Sequence, residues 1–536
     1  MSAQPSEHRL ARSSAIVGIG TLLSRTTGFV RVSALAALGF ARLTDVYNVS
    51  NSIPNIVYEL LLGGILTATL VPLYVEHLKN NDRRASDAIN TVAIVALAVI
   101  TALGVIAAPW IIDLYTARLG NGALVEQQRE LSTQLLRLFM PQMFFYGITA
   151  LATAMLNARR RFAAAAFAPV LNNIVVIAVL LTLPRVASAP PTVESVLDDP
   201  WLVLLIGIGT TAGIIAMAMV LLPALSKAGA GFRWVWEWRH PAVRKLARLS
   251  GWTIGYVASN QVAFLVVLFL AYAKSGDTSV YLAAFMFFQL PHGLFAVSIM
   301  TALAPELAHH SQDGDIEGLR DAFCGGFRLM GLAVIPSAVL LGVLAKPIVN
   351  ALLKYGSFTD ESAILTAETL TAFAIGLFFF SAYLFTLRGF YAMQDTRTPF
   401  LLNVFENILN IVLALALYPS LGVQGLALSW SISYGLGAVA SLVVMRARLS
   451  RLDGRQIGDS LLRVTLASAV LGVIAYLVAN AIGYDTSGQA ILAAVAAAFA
   501  GGAAFFGVLL LLRHDELGAL KSVLMPAGRA DPTPRV

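Results

Sequence analysis

The sequence predicts an all-α protein that crosses a membrane many times. Of 536 residues, 58% are hydrophobic and only 12% are charged. Mean hydropathy is +0.76. Apolar stretches of about 20 residues recur from end to end, and no polar region of soluble-domain size interrupts them. Soluble domains run at roughly 45–50% apolar and about 25% charged. A chain this apolar cannot cover a globule with polar surface, so the bilayer is its solvent.

About fourteen transmembrane helices follow in order, near residues 14–40, 46–75, 87–115, 131–157, 163–184, 200–225, 247–273, 279–307, 325–353, 363–390, 398–418, 423–445, 459–482 and 488–512. Pro54 in the second and Pro291 in the eighth predict bends, because proline removes one helical hydrogen bond. The connecting segments alternate in charge. "HLKNNDRR", "NARRRF", "FRWVWEWRHPAVRKLAR", "GFYAMQDTRTP" and "RARLSRLDGR" form a basic set, whereas "RVASAPPTVESVLDDP", "AKSGD", "YGSFTDES", "YPSLG" and "GYDTSG" form the other. The basic set is cytoplasmic by the positive-inside rule, which puts both termini in the cytoplasm of a multi-pass inner or plasma membrane protein. "HHSQDGDIEGLRDAF" is acidic yet falls on the cytoplasmic side; acidic residues weigh little in that rule. The net charge of +7 reflects these loops rather than a nucleic-acid partner.

An internal repeat organises the spans. Thr44-Asp45-Val46-Tyr47 recurs as Thr278-Ser279-Val280-Tyr281, an offset of 234, and Leu171-Asn172-Asn173-Ile174 aligns with Phe405-Glu406-Asn407-Ile408 at the same offset. "LVPLYVEHL" and "LAPELAHH" lie near that spacing too. Spans 1–6 and 7–12 are thus read as two six-helix lobes, parallel repeats about an axis along the membrane normal, with a C-terminal helix pair outside the duplication. The expected divisions are a cytoplasmic tail at 1–13, an N-lobe at 14–228, an amphipathic linker and C-lobe at 229–446, the helix pair at 447–513 and a cytoplasmic tail at 514–536. Transporters built from such repeats bind substrate near the midplane and expose it alternately to the two sides.

Ionisable residues inside a membrane are expensive and normally face a cavity or a partner. Arg25 and Arg31 in "SRTTGFVR" lie roughly 9 Å apart along a helix and about 120° around it, with Gly28 midway. Two guanidinium groups flanking a patch without a side chain suit an anion, and phosphate above all, because the planar fork donates two hydrogen bonds at once. The repeat equivalents, Ser259 and Leu265, are uncharged. A second reading pairs the arginines with Asp45 and Glu59 and makes them a fastening between helices. Asp45 also reads as a gating or exposed acid, and Glu59 as a protonatable group. Glu406 in "FENILN" is a candidate cation or gating residue and His292 in "QLPHGLF" a candidate pH-sensitive one, each with a plain buried structural alternative.

Enzyme chemistry is not legible. There is no Gly-rich phosphate loop ending in Lys-Ser/Thr, no nucleophile–base pair and no metal-ligand spacing, so no cofactor or metal is expected. The single cysteine, Cys324, excludes an intramolecular disulfide.

"SRTTGFVRVSALAALGF", "TDVYNVSNSIPNIVYELLLGGILTATLVPLY", "LNARRRFAAAAFAPVLNNI", "LLKYGSFTDESA" and "GFYAMQDTRTPFLLNV" together resemble the MurJ/MviN lipid II flippases of the multidrug/oligosaccharidyl-lipid/polysaccharide exporter superfamily, in order and over most of the chain. The resemblance, which extends to actinobacterial members often followed by a kinase-like domain, implies fourteen helices and transfer of the undecaprenyl-pyrophosphate-linked peptidoglycan precursor from inner to outer leaflet by alternating access. It implies lipid II and membrane lipids as partners, with cell-wall synthesis or division proteins as further ones. Arg25 and Arg31 match arginines that meet the pyrophosphate, and Asp45 matches a functional aspartate. Two further family arginines are replaced by Tyr58 and, approximately, Met286, so either the first pair suffices or another cation such as Arg388 assists. Export of another polyprenyl-linked glycan, cation-coupled drug efflux and a non-transporting cell-wall scaffold are the competing readings. The paired arginines argue against the last two.

Overall fold

A computed structural model describes the backbone of residues 4–59 and 70–512, with side chains throughout except at residues 4–15, 57–58 and 247–254. The expected tail 514–536, part of the second span (60–69) and the Tyr58 side chain lie outside the described residues.

The helices run in order as α1 Gln4–Ala36, α2 Arg42–Glu59, α3 Val71–Lys79, α4 Arg83–Thr116, α5 Ala123–Phe139, α6 Pro141–Ala158, α7 Ala163–Val186, α8 Val193–Leu197, α9 Pro200–Met219, α10 Leu221–Lys227, α11 Pro241–Ala271 and α12 Asp277–Pro291. A π-turn at His292–Ala296 leads into α13 Val297–Gln312. There follow α14 Ile316–Val343, α15 Ala345–Leu353, α16 Asp360–Ala392, α17 Arg397–Arg448, α18 Gly454–Ile482 and α19 Ser487–Leu511. Every regular element among the described residues is helical, as the bilayer requires where water cannot satisfy backbone groups. Ten helical stretches there are long and apolar enough to cross a membrane. α1 begins at Gln4, inside the segment read as a tail, because "PSEHRLARSSA" is rich in helix formers and continues the helix in polar form.

Polar caps mark several helix starts. Asp82 accepts from Ala85 N at 3.0 Å and Asp315 from Gly318 N at 2.9 Å, while Thr192 and Thr486 close capping boxes at α8 and α19. α17, at 52 residues, would reach about 78 Å as a straight rod, far beyond the hydrocarbon core of about 30 Å. It breaks at Gly422, where φ is 59° and ψ −141°, three residues after Pro419. The two arms fold back side by side, with Ser429 Oγ donating to Asn410 Oδ1 at 3.1 Å and Ser433 Oγ to Glu406 Oε1 at 2.9 Å. These arms are the stretches read from sequence as spans 11 and 12.

Two compact units emerge. One holds Met1–Val280 with Leu353–Ser362, the other Tyr281–Leu352 with Ala363–Val536. The packing division thus falls at Val280, whereas the sequence repeat puts its boundary near residue 228. α11 goes with the first unit because it packs on α4 and α2. In that unit α1 lies along α7, and α7 along α9. In the second, α18 packs on both α14 and α19. The small-residue stripe of α19 (Ala490, Ala493, Ala497, Gly501) is buried, with Gly501 admitting the Leu471 carbonyl of α18 so closely that a Cβ would sit 2.9 Å from its oxygen.

Candidate functional site

α1 is held to α7 at the turn that carries the arginines. Asn173 Nδ2 on α7 donates to Ser24 O at 3.1 Å and to Thr27 Oγ1 at 3.0 Å. One turn earlier, Gly20 lies against Ala166. Positions 20, 24 and 27 therefore face α7, and Arg25, about 100° further round the helix, faces away from it. Arg25 is exposed, Arg31 half-buried and Gly28 buried. The Arg31 charge lies within electrostatic reach of the Tyr47 hydroxyl on α2.

The arginines are not fastened to Asp45 or Glu59. Among the described residues neither makes an ion pair. Glu59, exposed in the last described turn of α2, makes none either.

Asp45 is fully buried and engaged elsewhere. Its carboxylate accepts from Gly276 N at 2.6 Å, Ser279 N at 3.0 Å and Ser279 Oγ at 2.8 Å. These donors open α12, whose first N–H groups have no partner within the helix, so Asp45 supplies the cap and its charge complements the helix dipole. Arg42, one turn before Asp45, does the complementary job. Its guanidinium donates to the carbonyls of Tyr272 at 2.8 Å and Ala273 at 3.1 Å, at the end of α11. One turn of α2 thus holds both ends of the α11–α12 connection. Thr44 Oγ1 accepts from Ser279 Oγ at 3.1 Å, and Asn48 Nδ2 donates to Ser279 Oγ at 3.0 Å.

The same end of the first unit is sealed by backbone contact. Ser357 N donates to Ala37 O at 2.9 Å, and Phe40 meets Phe358 edge-on at 5.0 Å. Gly39, Gly276 and Gly356 all have positive φ, and a Cβ on Gly356 would lie 2.4 Å from Ala37 O. Because α1 runs from Gln4 to Ala36, this closure lies at the end opposite the N-terminus.

The second unit carries the remaining candidates. Glu406 is fully buried; Oε1 is satisfied by Ser433, and Oε2 has no hydrogen-bond partner among the described residues. His292 is buried in the π-turn, with Nδ1 2.9 Å from Ser381 Oγ and its ring 4.5 Å from that of Phe380. The kink expected at Pro291 takes the form of this π-turn. Arg388 is exposed on α16 and Met286 half-buried on α12. No group of three or more His, Cys, Asp or Glu that could hold a metal occurs among the described residues. Cys324 is buried and unpaired.

Sequence reasoning missed Arg42, Asn173, Gly276 and Ser279 as working residues. Ser279 had a usable signal, since it is the repeat counterpart of Asp45 and the two touch.

Comparison with known proteins adds a family. A family model described as lipid II flippase MurJ matches residues 35–491. The "probable lipid II flippase MurJ" of Vibrio cholerae is 29% identical over 444 residues, covering 79% of this chain and 81% of that one. The "lipid II flippase MurJ" of Burkholderia cenocepacia is 28% identical over 509 residues, covering 91% and 95%. Among solved structures, a lipid II flippase MurJ in an inward closed conformation superposes with a TM-score of 0.74 at 22% identity, covering 92% of this chain and 100% of the other. An inward-facing multidrug MATE transporter follows at a TM-score of 0.64 and 14% identity, covering 80% and 94%; both likenesses speak to the fold.

Proposed function

The chain belongs to the lipid II flippase MurJ family, and on that premise we propose that Arg25 and Arg31 receive the pyrophosphate of lipid II while Arg42 and Asp45 gate its release. The protein is a transporter of the inner membrane, not an enzyme, and lipid II is its substrate. The observation that carries the proposal is the state of the two arginines. Inside α1 they keep full hydrogen-bonding capacity, with no carboxylate paired to either among the described residues. A cation that only fastened helices would be satisfied by a protein partner. Among the described residues no neutralising partner is present, and a diphosphate suits the bidentate fork.

The clamp at Asp45 supports the second half of the reading. With both termini in the cytoplasm, as the basic loops indicate, the closure built from residues 37–45, 272–279 and 353–358 lies on the outer side. Alternating access then requires the Asp45 hydrogen bonds to break as the head group leaves outward. Glu406, buried with one carboxylate oxygen unpartnered among the described residues, and His292, in the π-turn, are read as gating groups of the second unit. Cell-wall synthesis or division proteins are further partners on this reading, and Arg388, exposed on α16, is an auxiliary cation.

The test is flipping of labelled lipid II in proteoliposomes. The Arg25→Ala, Arg31→Ala double variant is expected to lose at least about tenfold in rate, since a charge-assisted hydrogen bond is worth roughly 1.5–3 kcal/mol. A folded double variant that flips at the parent rate refutes the role of the pair.

A further inference from the structure

The segment joining α10 to α11, "GFRWVWEWRHP", contributes only charge to the topology argument, and the transport reading does not use it. Its backbone is neither helix nor strand over residues 230–237. One side of it is pinned. Ala230 and Ala242 are buried in an apolar cluster with Tyr74, Ile89 and Leu151. Between them Arg233 N donates to Asp87 Oδ1 at 3.2 Å, Val235 N donates to Thr91 Oγ1 at 2.9 Å, and Glu237 accepts from Arg84 Nε at 2.9 Å.

The backbone at 233 and 235 and the Glu237 side chain are thus tied to α4, while the four aromatic rings at even-numbered positions are left exposed. Phe232, Trp234, Trp236 and Trp238 are 44, 61, 55 and 54% exposed. Four rings in a row form an apolar edge larger than a water-facing loop sustains.

The charges beside this edge are one-sided. Nearby acids are already engaged: Glu76 by Lys245 at 2.7 Å, Glu237 by Arg84, and Asp82 and Asp87 by backbone amides. Arg233, Arg239 and Arg244 are exposed and form no ion pair among the described residues. Arg239 lies over the Trp238 ring, 4.4 Å from its centroid. The segment also joins the end of α10 to the start of α11, beside the start of α4, so it sits where hydrocarbon gives way to head groups. Tryptophan favours that depth.

We propose that residues 232–244 form a binding site for anionic phospholipid, the four rings entering the bilayer interface and Arg233, Arg239 and Arg244 donating to the head-group phosphates. Charge complementarity selects the anionic lipid over a neutral one. A basic residue held near an anionic surface is worth about fivefold in local lipid enrichment.

The experiment uses the full chain in lipid nanodiscs without substrate, so it is independent of flipping. Tryptophan fluorescence is read with brominated phosphatidylglycerol or brominated phosphatidylcholine at equal mole fraction. The Trp234→Phe, Trp236→Phe, Trp238→Phe variant, which keeps an aromatic ring at each position, is subtracted to remove the other four of the seven tryptophans. The expected result is quenching of the three by both lipids, stronger by about threefold or more with phosphatidylglycerol. Arg233→Gln, Arg239→Gln, Arg244→Gln, all at exposed positions, is expected to abolish the difference while quenching by phosphatidylcholine persists. Three tryptophans that escape both quenchers, as they would beneath a protein partner or a second copy of the chain, overturn the proposal. So does equal quenching by the two lipids.

Discussion

Replacing Asp45 by alanine removes the acceptor of three hydrogen bonds and leaves Gly276 N and Ser279 N unsatisfied in a buried place. Hydrogen bonds to a charged group contribute about 1.5–3 kcal/mol each, but these three share one carboxylate and the cost of burying it. A loss of about 3 kcal/mol for the set follows, equivalent to roughly a hundredfold in the equilibrium between closed and open. Asp45→Asn keeps the shape and one acceptor oxygen, so about tenfold is expected. The readout is hydrogen–deuterium exchange of a peptide spanning residues 270–284 in nanodiscs, because the amides of Gly276 and Ser279 exchange only when the clamp lets go. Arg42→Ala, which frees the carbonyls of Tyr272 and Ala273, should accelerate the same peptide. The double variant should fall short of the sum, since both residues hold one connection. Exchange within threefold of the parent in Asp45→Ala would show that the carboxylate does not hold the closure, and the gating role would go with it.

Three further outcomes follow from other contacts. Gly356→Ala places a Cβ 2.4 Å from Ala37 O on a residue with φ +61°, whereas Gly314→Ala, at φ +71°, meets nothing within 4 Å. Both carry the left-handed backbone cost of about 1–2 kcal/mol, so a thermal midpoint that falls further for the first isolates the loop contact. Asn173→Ala removes two hydrogen bonds to α1 and should cost about 1–2 kcal/mol. Faster amide exchange confined to residues 20–30 is the check. At Asp395, partial burial pushes the carboxyl up, but hydrogen bonds from Thr398 N at 2.9 Å and Oγ1 at 2.6 Å, with Arg448 at 3.1 Å, outweigh it and hold it below the ordinary range. A group depressed in the fold stabilises it above the unfolded value near 3.9 and loses that stabilisation as pH falls through the folded value. The stability advantage of the parent over Asp395→Asn should therefore be constant from pH 7 to 5 and shrink progressively once pH falls below about 4; an advantage unchanged at pH 3 refutes it.

Hydropathy made the fold legible because an apolar stretch of membrane length has few alternatives to a helix. Even the break in α17 was marked in advance by "YPSLG" between two apolar runs. The arginines of α1 were conspicuous because charge in hydrocarbon is rare. Their freedom from Asp45 was not, because the partners of Asp45 are backbone amides, and an amide at residue 276 looks like any other in a sequence. The closure that Gly39, Gly276 and Gly356 permit depends on loops distant in the chain meeting edge to edge, which no period records. In "FRWVWEW" the alternation was in plain view, yet only the structure shows that α4 holds the backbone at 233 and 235 and leaves the rings exposed.

The clamp also has a lopsided tolerance to mutation. What Arg42 and Asp45 grip is almost entirely main chain, and every residue type except proline presents the same carbonyls and amides. Ala273, Lys274 and Ser275 can therefore drift without loosening the closure, whereas Gly276 is constrained by its backbone shape and Ser279 by its hydroxyl. The two residues of α2 have no such latitude, so loss-of-function substitutions at this end should collect on one helix turn and spare the loop it holds.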